Sequence, residues 1–165
     1  MNKKNVRLAA FTGIAVLALG TIHHAFTQTG DQEGSQSRQV IRLVERLVDV
    51  AFQDAAPAGP SLGDRIVFTS DLFDERGRLV GRDGADCVTV RLDRAAPPAL
   101  QQVVQCTVTV QLPDGQITFQ ALGQGAGNYF AVTGGTGAYR AARGEAFVRD
   151  RVPLQVADVT ITLIR

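Results

Sequence analysis

From residue 60 to its end, the sequence is a series of short segments that alternate apolar and polar residues and are separated by turn-forming residues. Such alternation is typical of β-strands with one buried face. The segments lie at roughly 66–73, 86–92, 103–112, 116–122, 128–133, 142–149 and 156–164. No stretch between them has the apolar spacing of a crossover helix, so the strands are expected to pair antiparallel. Closely spaced antiparallel strands predict an all-β barrel or sandwich.

The composition agrees with one β-rich domain. The chain has 165 residues, the length of a single domain, with 17 glycines and no tryptophan. Its formal net charge is +1, which provides no basic surface, so no nucleic-acid partner is expected.

A glycine-rich stretch at 132–147 invites comparison with phosphate-binding loops. Three glycines lie within residues 134–137. A P-loop needs Lys and then Ser or Thr after its last glycine, and a dinucleotide fingerprint needs a helix there. Here Ala138 and Tyr139 follow, and then a strand-like segment. The stretch is therefore predicted to be a tight corner between two antiparallel strands, where glycine supplies positive φ.

Residues 1–25 are predicted to be an export signal that is not part of the fold. Three basic residues within positions 3–7 precede an uncharged, largely apolar segment of 15 residues, 8–22. That length suits a signal peptide and is shorter than the about 20 residues of a membrane span. An uncleaved N-terminal membrane tether stays open, because no clear cleavage site follows. Residues 26–38 are polar and predict a linker, so the domain is expected outside the cell or in its envelope.

The predicted export indicates the oxidation state to expect for the two cysteines. Cys87 and Cys106 are the only cysteines and both lie in strand-like segments, so one structural disulfide is expected in an oxidising compartment. The only histidines, His23 and His24, lie beside the signal. Two cysteines and two such histidines do not make a zinc site, so no metal is expected. Without a histidine in the domain, Ser-His-Asp and Cys-His catalysis are excluded.

Residues 39–52 can be interpreted in two ways. Periodicity alone favours a helix, because the apolar residues recur as on one helical face. These residues are Val40, Leu43, Val44, Leu47, Val48 and Ala51.

Several segments resemble the allene oxide cyclase family in order and spacing. They read SLGDRIVFTSDLF at 61–73, VG at 80–81 and DCV at 86–88. Residues 132–144 resemble the glycine corner of allene oxide cyclases and plant dirigent proteins. The segment 68–74 is similar to the Phe-x-x-x-Leu-aromatic-Asp pattern of small bacterial spirotetronate cyclases.

The resemblance covers about residues 39–165 and implies an eight-stranded antiparallel, calycin-like β-barrel with an internal apolar cavity. It makes residues 39–52 the first strand, against their helical spacing. The eight strands are then expected at roughly 39–52, 64–73, 84–92, 102–112, 116–122, 128–133, 142–150 and 155–164. A barrel of about eight strands has room for one small ligand.

The resemblance also implies candidate catalytic residues. Glu45 matches a cavity glutamate on the first strand of allene oxide cyclases, and Arg143 matches a cavity arginine of dirigent proteins. Paired inside a barrel, Arg143 is expected to bind a carbonyl or enolate oxygen, and Glu45 to stabilise a cation or accept a proton. A structural ion pair, or charges on the outer face of the barrel, is the alternative.

Further positions are expected to line the cavity. Ser70 and Cys87 match a cavity asparagine and a cavity cysteine of the family, and strand alternation adds their neighbours. The expected cavity-lining residues are Phe68, Ser70, Leu72, Thr89 and Phe119. A cavity tyrosine and a second cavity asparagine of the family are replaced here by Gly123 and Leu47, which argues against authentic allene oxide cyclisation.

Together these features predict a cyclase or isomerase without a cofactor. It is expected to hold an apolar, polyketide- or oxylipin-like substrate in one conformer and so favour intramolecular ring closure. One alternative is a secreted small-molecule-binding barrel without catalysis. Another is a dirigent-like protein that orients radicals made by a separate enzyme. The resembling families also imply a homodimer or homotrimer.

Overall fold

The computed structural model describes residues 37–164, which form one closed barrel of eight strands. Each strand pairs antiparallel with its sequence neighbours, and β1 also pairs with β8. The strands are β1 (Arg38–Gln53), β2 (Arg65–Phe73), β3 (Leu79–Leu92), β4 (Gln102–Leu112), β5 (Gly115–Gly123), β6 (Gly127–Gly135), β7 (Arg143–Val152) and β8 (Val156–Ile164). The predicted eight-stranded antiparallel barrel is confirmed.

The N-terminal predictions fall largely outside this part of the chain. The export signal at 1–25 and the linker up to residue 36 lie outside the described residues. Within the described residues, no helix is both long enough and apolar enough to cross a membrane.

The first strand corrects the helical interpretation of residues 39–52. β1 is paired with β8 from Arg38 to Arg46 and with β2 from Val44 to Gln53. A β-bulge between Leu47 and Asp49 shifts the alternation by one position. Periodicity predicted a helix here, and that prediction was wrong, because pairing with two strands determines the conformation of this segment.

One half of the barrel interior is filled by side chains. Alternation along β8 points Ala157, Val159, Ile161 and Leu163 inward and its Asp and Thr residues outward. The side chains that fill this half are at most 2% exposed and include Leu72, Ile117, Ile161 and Leu163. They lie toward the end of the barrel that carries the β2–β3, β4–β5 and β6–β7 connections. This half of the barrel is close-packed and therefore rigid, and it supports the strands of the other half.

The glycine-rich corner closes the packed end and joins β6 to β7. Its backbone N–H groups are used internally: Thr136 N donates to Gln116 O and Ala138 N to Asp114 O, both at 2.8 Å. A Cβ on Gly137 would lie 2.2 Å from Asp114 O, so only glycine lets the corner pack on the β4–β5 turn. The corner is therefore a packing element, and the N–H groups of Thr136 and Ala138 are not free to bind a phosphate.

A disulfide joins β3 to β4. Cys87 and Cys106 are direct cross-strand partners and are bonded to each other, each 6% exposed. The predicted disulfide is confirmed.

Reduction of this disulfide is expected to lower the free energy of unfolding by about 3 kcal/mol, because it frees a loop whose ends are 19 residues apart in the unfolded chain. Urea denaturation of the oxidised and reduced protein measures the difference. A Cys87→Ala/Cys106→Ala variant, which should not respond to reductant, is the control. Equal midpoints for oxidised and reduced wild type would contradict the prediction.

Candidate functional site: a carboxyl-lined cavity

The half of the barrel away from the glycine corner encloses a cavity of about 240 Å³. Its wall is mostly apolar and includes Phe68, Val108, Phe119, Phe130 and Val148. The β7–β8 connection, residues 153–155, borders the cavity at its open end. An apolar chamber of this kind, with a few polar groups, is the usual form of a small-molecule site.

The Asp64 side chain helps to hold the long β1–β2 loop beside the open end. The Asp64 carboxylate accepts hydrogen bonds from the backbone N–H of Ser61 at 2.8 Å and of Ala55 at 3.0 Å. These hydrogen bonds hold the pKa of Asp64 below its ordinary value. The loop also borders a second, more open hollow of about 450 Å³, which shares Ile66, Cys87, Val104 and Leu154 with the cavity. Asp64 thus helps to define the rim of the site.

Two carboxyl groups lie on the cavity wall next to the packed half. Glu45 on β1 and Asp83 on β3 both line the cavity, with β2 between them. Ser70 of β2, 1% exposed, is the cross-strand partner of Asp83 and donates its hydroxyl to Glu45 Oε1 at 2.9 Å. The three side chains therefore form a polar cluster surrounded by apolar core.

Burial raises the pKa values of both carboxyl groups. The pKa of Asp83 rises to about 7, chiefly because the group is buried and also because the Glu45 charge is near. Burial also raises the pKa of Glu45, the Asp150 charge adds to the rise, and the hydrogen bond from Ser70 opposes it. Near neutral pH the pair therefore retains a proton that exposed carboxyl groups would have lost.

A third carboxyl group stands nearer to solvent. Ala157 of β8 pairs with Glu45 on one side and with Asp150 of β7 on the other, so the two acidic residues flank it. Asp150 lines the cavity and is exposed, and partial burial raises its pKa. The acidic groups of the cavity thus extend from a buried position to the solvent-exposed rim.

The structure brings some of the expected site residues together. Glu45, Phe68 and Phe119 line the cavity. Three other residues were expected to line the cavity and do not line it. Leu72, completely buried, belongs to the packed half, and Ser70 lies behind the wall, where it contacts Glu45. Thr89 faces the second hollow.

Arg143 does not meet Glu45 in the cavity. It is exposed at the start of β7 and is not among the residues that line the cavity. Alternation along β7 explains this: Ala146 and Val148 point inward, so Gly144 takes the inward position and Arg143 points outward. The expected pairing of Arg143 with Glu45 is therefore wrong in geometry.

Asp83 is the functional candidate that sequence reasoning missed. The third strand was predicted to begin at 84, whereas β3 begins at Leu79, so Asp83 fell outside the predicted strand. A signal was available: if Cys87 and Thr89 point inward, continued alternation places Asp83 and Ala85 inward as well.

These features define a class of protein: closed eight-stranded barrels with an apolar chamber. The family model of allene oxide cyclase barrel-like domains matches residues 44–163, so the chain belongs to that family. No curated protein matches the sequence.

Solved structures of similar fold add detail. The chain is 27% identical to pyocyanin demethylase, with a TM-score of 0.66 and coverage of 76% of this chain and 99% of that one. It is 18% identical to an exo-specific intermolecular Diels–Alderase, with a TM-score of 0.67 and coverage of 80% and 100%. It is 16% identical to a pterocarpan synthase dirigent protein, with a TM-score of 0.60 and coverage of 79% and 86%. The last two similarities establish the fold alone.

Proposed function

We propose that this protein is an enzyme that holds a compact, largely apolar molecule in the barrel cavity and catalyses its isomerisation or ring closure by proton transfer. The observation that carries the proposal is the buried pair of Glu45 and Asp83, linked through Ser70, on the wall of an apolar chamber. Buried carboxyl groups with shifted pKa values are characteristic of catalytic sites. The cavity is smaller than the roughly 300 Å³ typical of drug-sized ligands, which favours a compact ring system over a long-chain oxylipin.

The mechanism uses one proton and two carboxyl groups. Asp83, with a pKa of about 7, serves as the acid, and Glu45 serves as the base. After one turnover Glu45 holds the proton and Asp83 lacks it, so the proton must return to Asp83. Ser70, which donates to Glu45 and is the cross-strand partner of Asp83, lies between the two carboxyl groups and can relay it. A proton removed at one substrate position and returned at another leaves the molecular formula unchanged. The apolar walls restrict the conformers of the substrate and exclude water, which lowers the barrier to ring closure.

The proposal also includes the location, the cofactor requirement and the assembly of the domain. The disulfide agrees with export into an oxidising compartment, where the enzyme would work as a soluble or tethered barrel. We propose no cofactor for this reaction, and a homodimer or homotrimer remains the expected assembly.

Nitrobenzisoxazole is a direct probe of a base in an apolar cavity, because loss of one ring proton isomerises it to a coloured cyanonitrophenol. Wild type is expected to accelerate this isomerisation with saturation kinetics. Glu45→Gln is expected to lower kcat about 100-fold, since it removes the base while keeping the size of the side chain. The absorbance of the phenolate measures the rate.

Asp49→Asn is the matched control, because Asp49 is exposed on the same strand and lies outside the cavity lining. It should retain the wild-type rate. Equal rates for wild type and Glu45→Gln would reject Glu45 as the base. A probe that binds in the cavity and is recovered unchanged would favour a binding barrel without catalysis.

A second candidate function is suggested by the 27% identity to pyocyanin demethylase over nearly all of that chain. Incubation with pyocyanin, followed by mass spectrometry, separates the two candidates. Isomerisation leaves the mass of a substrate unchanged, whereas removal of a methyl group lowers it.

A further inference from the structure

The charged groups of the cavity wall are all of one sign. Glu45, Asp83 and Asp150 all line it. Among the residues that the structure describes, no arginine, lysine or histidine lines this cavity. The remaining wall is mostly aliphatic and includes the rings of Phe68, Phe119 and Phe130. The chamber therefore offers carboxyl oxygens and ring faces, but no group to neutralise an anionic ligand.

One of these oxygens lacks a hydrogen-bond partner. Asp83 is only 4% exposed, and its Oδ1 atom has no hydrogen-bond partner within residues 37–164. Buried polar atoms are almost always paired, so an exception calls for an explanation. Asp83 lines the cavity, so a small rotation of its side chain would bring Oδ1 to the cavity surface, where a bound ligand can supply the missing partner.

A metal ion does not explain the acidic lining. In the described part of the chain, no group of three or more His, Cys, Asp or Glu side chains is arranged to hold one. The carboxyl groups are instead distributed over β1, β3 and β7, around the apolar chamber. That distribution suits an organic ligand that fills the chamber.

We infer that the preferred ligand of this cavity is a compact planar aromatic cation, with its charged ring atom toward Asp83 and its ring against the phenylalanine walls. The inference rests on the proposed function and narrows its substrate class. A cation interacts favourably with carboxylates and also with aromatic faces. A carboxylate-bearing ligand of equal size would be repelled by those of the three acidic groups that are ionised. Asp150, exposed at the rim, would attract the cation before it enters.

Three bicyclic ligands of similar shape test the inference: the cation N-methylquinolinium, the neutral methylnaphthalene and the anion naphthoate. Each is titrated into the full chain at pH 8, and the dissociation constants are measured by NMR. The cation is expected to bind at least about tenfold more tightly than methylnaphthalene, and naphthoate most weakly.

Asp83→Asn should remove most of the preference for the cation while methylnaphthalene still binds, which also shows that the variant is folded. Asp49→Asn, with the same change of charge on an exposed residue, should keep the preference. Equal affinities for cation and neutral ligand, or a preference that survives in Asp83→Asn, would overturn the inference.

The two proposals can fail separately. If methylnaphthalene binds without any preference for the cation, the cation inference fails, while the nitrobenzisoxazole rates still decide the proposed function. If neither ring compound binds, the cavity is not a site for compact aromatic molecules, and the inference fails with that part of the proposed function.

Discussion

Replacing Asp83 by asparagine is expected to stabilise the protein by about 4 kcal/mol at pH 8, although it removes a proposed catalytic acid. The Asp83 carboxyl has a pKa of about 7 in the folded protein, against an ordinary value of 3.8. Below pH 3.8 the carboxyl is protonated in both the folded and the unfolded state, and its raised pKa then causes no loss of stability. As pH rises from 3.8 to about 7, the unfolded state ionises first, so stability is progressively lost.

The size of the effect follows from the same pKa values. One pKa unit corresponds to about 1.4 kcal/mol, so the difference between 3.8 and about 7 amounts to about 4 kcal/mol above neutral pH. Asparagine has nearly the same shape but carries no charge, and it also relieves the repulsion with Glu45. Asp150 remains near Glu45 in both proteins, so its influence largely cancels in the comparison.

Urea denaturation of wild type and Asp83→Asn at pH 4 and pH 8 measures the prediction. The gain in free energy of unfolding should be large at pH 8 and fall below about 1 kcal/mol near pH 4. Asp49→Asn, the exposed control, should show no comparable dependence on pH. An Asp83→Asn protein less stable than wild type at pH 8 would mean that the ionised carboxyl has a stabilising partner. A gain at pH 8 would instead support a site in which stability is given up for acid–base chemistry.

The barrel was predictable because its strands have independent local signals. β8 alternates apolar and polar residues from Ala157 to Leu163, and the turn residues Pro113 and Asp114 connect β4 to β5. The disulfide was predictable from the compartment, since only Cys87 and Cys106 were present. These features depend on short-range patterns and on simple counting, and both are visible in one sequence.

β1 was ambiguous for a physical reason. A bulge between Leu47 and Asp49 breaks strict alternation, and the resulting spacing of apolar residues imitates a helical face. Several of those apolar residues are in fact exposed, for example Val48 at 62%. Only pairing with β2 and β8, which is not encoded locally, makes this segment a strand.

The candidate site was only half predictable. Glu45 was found by resemblance, but its partner Asp83 lay one residue before the predicted start of the third strand. Arg143 was chosen by the same resemblance, yet the direction of its side chain depends on the inward position of Gly144. A change of one position in a strand reverses the face of every side chain, so a match of residue type does not by itself locate a side chain.

Replacing Gly144 by alanine is expected to destabilise the barrel by about 4 kcal/mol, or to prevent folding at room temperature. Gly144 has φ +137°, a conformation that L-residues with side chains rarely adopt. A Cβ at this position would lie 1.9 Å from the backbone oxygen of Thr162 on β8, far inside contact distance. Relief would require β7 and β8 to separate, and these strands form part of the closed barrel.

Gly84→Ala is the matched control, since Gly84 is also a strand glycine but an added Cβ would meet nothing within 4 Å. That variant should lie within about 0.5 kcal/mol of wild type. Urea denaturation, monitored by circular dichroism, compares the two variants. Equal stabilities would show that β7 can move away from β8 at little cost, and the wall that holds Asp150 beside Glu45 would then be mobile. A selective loss in Gly144→Ala would show that the close approach of β7 to β8 keeps that wall in place.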